Sequence, residues 1–162
     1  MEADAGGLAT GAITVHLTNK EKQAIIFGVK IGIPNYGYLK DARMNKDTMA
    51  LVDTGATCSS ISQRFAVNAK LRTFKRTKIH GFDGTSIVPI YIVDILLPSG
   101  ILFTNVQVAQ FKTNLDFDCI IGMDILRKGD MALTNAKDEM VFTFRIPPAE
   151  THIDFVEEKS KL

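Results

Sequence analysis

The 162-residue chain predicts a mainly β fold, a barrel or sandwich of closely spaced strands. Three observations predict it. About eight to ten short runs are β-branched or alternate apolar with polar residues, and Gly, Pro or polar turns separate them. Helical spacing is confined to two brief stretches. Apolar residues make up 46% and charged residues 23%, enough for one domain with a real core.

The elements follow in order. Residues 1–11 are Gly- and Ala-rich and read as a flexible N-terminus. AITVHL (12–17) is a strand, AIIFGVKIGI (24–33) a second, and the polar break between them reads as a hairpin connection. PNYGYLKDARMNK (34–46) is a long loop, either functional or a tolerated insertion. TMALVDTG (48–55) is a strand running into a turn. Ser62 offers an N-cap for a short helix over 63–71, where Phe65, Ala66 and Ala69 fall at helical spacing. Residues 74–97 read as strand, turn and strand, with a turn GFDG (81–84) bounded by glycines. ILFTNVQVAQF (101–111) is a further strand. LDFDCIIGMDILRKG (115–129) combines an apolar run, a glycine and a helical turn. A last hairpin crosses AKD within 131–146, and the tail 147–162 is irregular, with THIDF as a candidate short strand. The domain is expected to span 12–146.

Charge narrows the function. Nineteen Lys plus Arg against 18 Asp plus Glu give a net charge of +1, so electrostatics offer no case for nucleic acid or an anionic membrane. No apolar stretch approaches the length of a membrane span. The N-terminus lacks a basic region followed by an apolar one, so no signal peptide is expected and a cytoplasmic location is. Two cysteines, Cys58 and Cys119, make no disulfide framework and read as reduced thiols.

The chemistry centres on ALVDTGATCSS (50–60), where an apolar strand stops at a carboxylate. A buried carboxylate is costly unless paired, so Asp53 is either a surface turn residue or deliberately placed. The strand aims the carboxylate, Gly55 permits close backbone approach, and Thr54 supplies a hydroxyl. The tripeptide alone is weak, arising by chance roughly once in several thousand residues. Its context is stronger. Three successive apolar residues precede it, and a second apolar run, CIIG (119–122), ends at a glycine and opens a helical turn. Between the two lies the Gly-bounded hairpin IHGFDGTSIVPIY (79–91).

In this order ALVDTGAT, flap-like hairpin and CIIGMDIL resemble the retropepsin-type aspartic proteases, over roughly residues 24–145. SQRFAVNAK and GMDILRKGDMALTN are closer to the cellular retropepsin-like domains than to compact viral enzymes. The resemblance implies a single-domain acid-protease β-barrel with one or two short helices. It also implies an endopeptidase acting on extended, largely apolar segments of a peptide or protein substrate. The chain has one Asp-Thr-Gly, so the resemblance implies a homodimer in which Asp53 of each subunit meets its copy on the two-fold axis. Two carboxylates about 3 Å apart cannot both ionise, so the pair shares a proton and activates water, with no cofactor or metal. By the same resemblance Thr54 bonds across the dimer and Gly55 helps hold the carboxylate. Ala56, Thr57, Gly122 and Asp124 support the loop, Asp124 structurally rather than catalytically. The hairpin 79–91 is the flap: Gly81 and Gly84 let its tip move, while Phe82, Asp83, Gly84 and Ile87 meet substrate.

Three departures stand out. Met123 occupies a place where many viral members carry Arg, which puts the dimer's ion-pair network in doubt. Loop 34–46 is longer than usual. Asp83 puts a charge at the flap tip, either solvated or selecting basic substrate residues. Elsewhere, His16, His80 and His152 form no metal spacing with the cysteines. Cys58 with His80 is a conceivable nucleophile pair, against the plainer reading of a small apolar residue packed behind Asp53. Arg72, Lys75, Arg76 and Lys78 read as a solvated face. Two other functions remain: a catalytically silent dimerisation or peptide-binding module of the same fold, and a monomeric β-domain with a chance DTG turn.

Overall fold

The structure, a computed structural model, describes residues 10–17, 24–34, 46–81 and 84–154. Among the described residues, ten strands form two sheets, accompanied by two short helices. The strands are β1 (Gly11–Leu17), β2 (Ile26–Gly32), β3 (Lys46–Val52), β4 (Ser60–Ser62), β5 (Lys75–Gly81), β6 (Gly84–Leu96), β7 (Leu102–Phe111), β8 (Cys119–Ile121), β9 (Asp130–Ala136) and β10 (Glu139–Ile146). Helix α1 covers Gln63–Asn68 and α2 covers Met123–Leu126, with a 3-10 turn over Pro98–Gly100.

The larger sheet runs β2-β3-β8-β4-β7-β6-β5, and an added β2–β6 pairing closes six of its strands into a barrel. Closure needs β6 to serve two neighbours. A register irregularity between Val93 and Ile95 lets its far half reach β2 while it still pairs with β7. At that point the Asn105 amide donates to the Asp94 carboxylate at 2.8 Å. Cross-strand alternation fills the interior with Val29, Ile31, Val93, Ile95 and Val108, all nearly without exposure.

The smaller sheet, β1-β10-β9, packs on the barrel through Ile13, Phe142 and Phe144, and Phe142 stacks on Phe27 of β2 at 6.4 Å. Here the hairpin expected between 12–17 and 24–33 is overturned. β1 pairs antiparallel with β10 along its whole length, and β2 lies in the other sheet. The alternation of β1 identifies a strand with one buried face, but its partner is more than a hundred residues away, which local pattern cannot reveal.

Ser62 caps α1: its backbone is extended and its hydroxyl accepts from the Phe65 amide at 3.0 Å. The helix ends at Asn68, shorter than the 63–71 expected. Lys70 then turns with φ 52°, and its neighbour Leu71 folds back to the Ala66 carbonyl. The β9–β10 turn places Lys137 and Asp138 both at positive φ, as a two-residue hairpin requires. No strand forms over 151–154 of THIDF, and Phe155 lies outside the described residues. Most of the long loop, 35–45, lies outside them too.

Candidate active site

β3 is an interior strand, with β2 antiparallel on one side and β8 parallel on the other. Ala50 is buried in the core, Val52 packs against that core from the same face, and Leu51 on the opposite face is half-buried. The chain leaves the sheet at Asp53, whose amide donates to the Ile121 carbonyl of β8 at 3.0 Å. The Gly55 amide donates to Asp53 Oδ1 at 2.8 Å and holds the carboxylate against the turn. The Ala56 amide donates to the Asp53 carbonyl at 3.3 Å and closes it. Thr54 and Gly55 are exposed and Asp53 is partly so.

Beneath the turn, the chain passes so close to β8 that only glycine fits at 122. A Cβ there would stand 2.7 Å from the Cys58 carbonyl carbon and 3.0 Å from the Ala56 oxygen. The Met123 amide donates to that Ala56 oxygen at 2.8 Å. Ser59, with no exposure, ties the layers together. Its amide and its hydroxyl both donate to Asp124 Oδ1, at 2.8 and 2.7 Å, and its oxygen accepts from the Gly122 amide at 3.1 Å. Asp124 thus faces the underside of the Asp53 turn, away from the cleft. Thr57 is exposed and hydrogen-bonds the Cys58 thiol.

Ser59 escaped sequence reasoning, and so did β4. Three residues show no periodicity, and the role of Ser59 exists only once β8 lies between β3 and β4. A second hub also escaped. The Asp118 carboxylate accepts from Ser62 Oγ and Arg64 Nε, and the Arg64 guanidinium also donates to the Leu115 carbonyl at 2.6 Å. This fastens α1 to the strand that enters beside β3.

The turn opens on a cleft of about 640 Å³, bounded by Asp53, Thr57, Cys58 and Ser60 below and by Ile79, His80, Gly84, Ser86 and Val88 of β5 and β6 above. Those two strands form the hairpin over the cleft. Gly84 holds φ +104°, a region that favours glycine, directly after the tip. Phe82 and Asp83 lie outside the described residues, and Ile87 is 69% exposed. Asp53 is the sole carboxylate among the described residues lining the cleft. His80 Nδ1 sits 2.8 Å from Thr85 Oγ1, and no hydrogen bond joins His80 to Cys58 among the described residues. Burial, and then the charge of Asp124, raise the Cys58 thiol above its ordinary value, against a smaller lowering by Thr57. A thiol held protonated is a poor nucleophile, so the Cys–His pair loses its support. Cys119, fully buried, is pushed up to about 12. Arg72, Lys75, Arg76 and Lys78 are exposed. Among the described residues no group of three His, Cys, Asp or Glu could hold a metal, and no helix is long and apolar enough to cross a membrane.

The site thus combines a strand-end aspartate in an Asp-Thr-Gly turn, a Gly-x-Asp turn beneath it and the β5–β6 hairpin over the cleft. The family described as gag-polyprotein putative aspartyl protease matches residues 41–128, more than half of the chain, and the chain belongs to that family. The crystal structure of a retropepsin-like aspartic protease from Rickettsia conorii superposes with a TM-score of 0.54 at 13% identity, covering 87% of this chain and 98% of that one. The protein therefore has the retropepsin-like fold. No curated protein matches it.

Proposed function

We propose that the protein is a homodimeric aspartic endopeptidase whose domain spans 12–146 and whose catalytic acid and base are the Asp53 carboxylates of the two subunits. The observation that carries this is a roofed, peptide-sized cleft lined, among the described residues, by one carboxylate, on an exposed turn, where the chemistry needs two. A second copy brings the second carboxylate to the axis. Side by side, the two share one proton. The charged member takes a proton from a water held between them, and the protonated member hydrogen-bonds the scissile carbonyl oxygen. The water attacks, and the tetrahedral diol collapses as the amine is protonated. Thr54 bonds across the dimer, and the Gly55 amide keeps the carboxylate in plane.

The hairpin 79–91 closes over an extended substrate and excludes water. Its strand β6 is suited to this. Gly84–Pro89 pair with β5 on one side, and the β7 ladder begins only at Ile90, so the other edge is open to a substrate backbone. Ile79, Val88, Ala109 and Phe111 give the cleft apolar walls for side chains near the scissile bond.

The test compares wild type with Asp53→Asn on a mixed peptide library from about pH 3 to 8. Cleavage between apolar residues is expected to fall by at least about 10²- to 10⁴-fold in the variant. Equal cleavage by both proteins removes Asp53 from the mechanism.

A further inference from the structure

The cleft does not end at the flap. A second groove of about 780 Å³ shares Ser86, Val88, Gln110 and Phe111 with it and continues outward where β6 and β7 diverge. Its outer part is bounded by Arg76 of β5 and by Lys112, just past β7. Both are exposed, and neither joins an ion pair among the described residues. No acidic residue among the described residues lines the groove. The neighbouring cation, Arg64, is already committed to Asp118, and Lys75 lies over the Phe74 ring on the other side of β5.

We propose that this groove is a distal subsite that selects an acidic side chain, Asp or Glu, in the substrate, several residues from the scissile bond. The proposal rests on the protease reading and names a substrate class for it. An extended peptide paired to the open edge of β6 is carried along that edge at about 3.3 Å per residue. Main-chain bonds to the edge are indifferent to sequence, so selectivity there belongs to side chains. Two unpaired cations in a groove without acids favour a carboxylate and disfavour Lys or Arg. Each contact is exposed and therefore modest and salt-sensitive, and the pair together gives a several-fold preference.

The experiment uses peptides with one fixed apolar scissile pair and Glu, Gln or Lys placed in turn about three to six residues to either side. Wild type is expected to cleave the Glu peptide about 5- to 20-fold faster in kcat/KM than the Lys peptide at one such position at low salt, with the ratio shrinking near 0.5 M salt. The Glu-to-Lys ratio, normalised to each protein's own Gln peptide, is expected to approach one in Arg76→Gln/Lys112→Gln. It is expected to invert in Arg76→Glu/Lys112→Glu. A ratio near one in wild type, or a ratio unchanged by the variants, overturns the subsite. Binding of the same labelled peptides to Asp53→Asn, read by fluorescence anisotropy, separates the two readings. Charge-dependent binding without any wild-type cleavage upholds the subsite and refutes the protease. Cleavage indifferent to distal charge refutes the subsite and leaves the protease standing.

Discussion

At the scale of single residues, the site is a stack of backbone approaches that tolerate little change. Gly122 lies against the carbonyls of Cys58 and Ala56, which are main-chain atoms and cannot swing away. Gly122→Ala is therefore expected to cost about 1–3 kcal/mol, read as a lowered urea midpoint, and to displace the Asp53 turn with loss of cleavage. Unchanged stability would mean that the turn is looser than its hydrogen bonds indicate. Cys58 provides a second check. Its thiol is held up by burial and by Asp124, so alkylation by iodoacetamide is expected to be slower at pH 7 than for a free thiol and to rise on going to pH 10. Asp124→Asn keeps an acceptor for Ser59 but removes the charge, and is expected to shift that profile toward lower pH, though only partly because burial is the larger cause. Asp53, Gly55, Gly122 and Asp124 could be singled out in the sequence because each belongs to a motif with local chemistry. Ser59 could not, because its partners Gly122 and Asp124 lie in a distant segment that it meets only in the folded state.

At the scale of elements, runs with a strong period declared themselves. β3, β6, β7 and β10 fall where apolar alternation or continuous apolar runs put them. Pairing was less readable than existence. β1 looked like one arm of a local hairpin, but its hydrogen-bonded partner is β10 rather than β2, and its buried Ile13 packs on the barrel from the smaller sheet. The β9–β10 hairpin to which it is joined depends on a charged clasp. Asp130 accepts from the Ala149 amide at 2.7 Å and from Arg145 Nε and the guanidinium NH2 at 3.0 and 2.9 Å. These bonds, the Ala149 amide first, hold its carboxyl below the ordinary carboxylate value. A lowered folded value means that the stabilisation is present above the unfolded value, near pH 4, and is lost as pH falls through the folded one. Asp130→Asn is expected to flatten this acid limb, so that the two proteins converge in urea midpoint below about pH 3 and differ above pH 5. A constant gap across that range would show that the clasp contributes through its geometry rather than its charge.

At the scale of the whole molecule, one chain supplies a cleft, a hairpin over it and, among the described residues, one carboxylate, which the proposed mechanism makes half of an acid–base pair. The exposed positions of Thr54 and Ile87, at the turn and on the hairpin, suit a second copy brought against this end of the barrel. In the proposed dimer, half of a two-fold site has no signature within one chain other than its incompleteness, and the single DTG in the sequence is what points to that reading. The grooves were not readable in the same way. Arg76 and Lys112 lie 36 positions apart in the chain and share a groove only because β6 and β7 part company before Ile90.

The most direct measurement of a shared dyad is cleavage by mixtures of wild type and Asp53→Asn, re-equilibrated at constant total protein above the concentration at which sedimentation shows a dimer. If each active centre needs Asp53 from both subunits, an equal mixture retains about one quarter of the wild-type rate, because random pairing leaves about that share of fully wild-type dimers. A retained rate of about one half, falling linearly with the wild-type fraction, would mean that each chain works alone and would contradict the shared dyad.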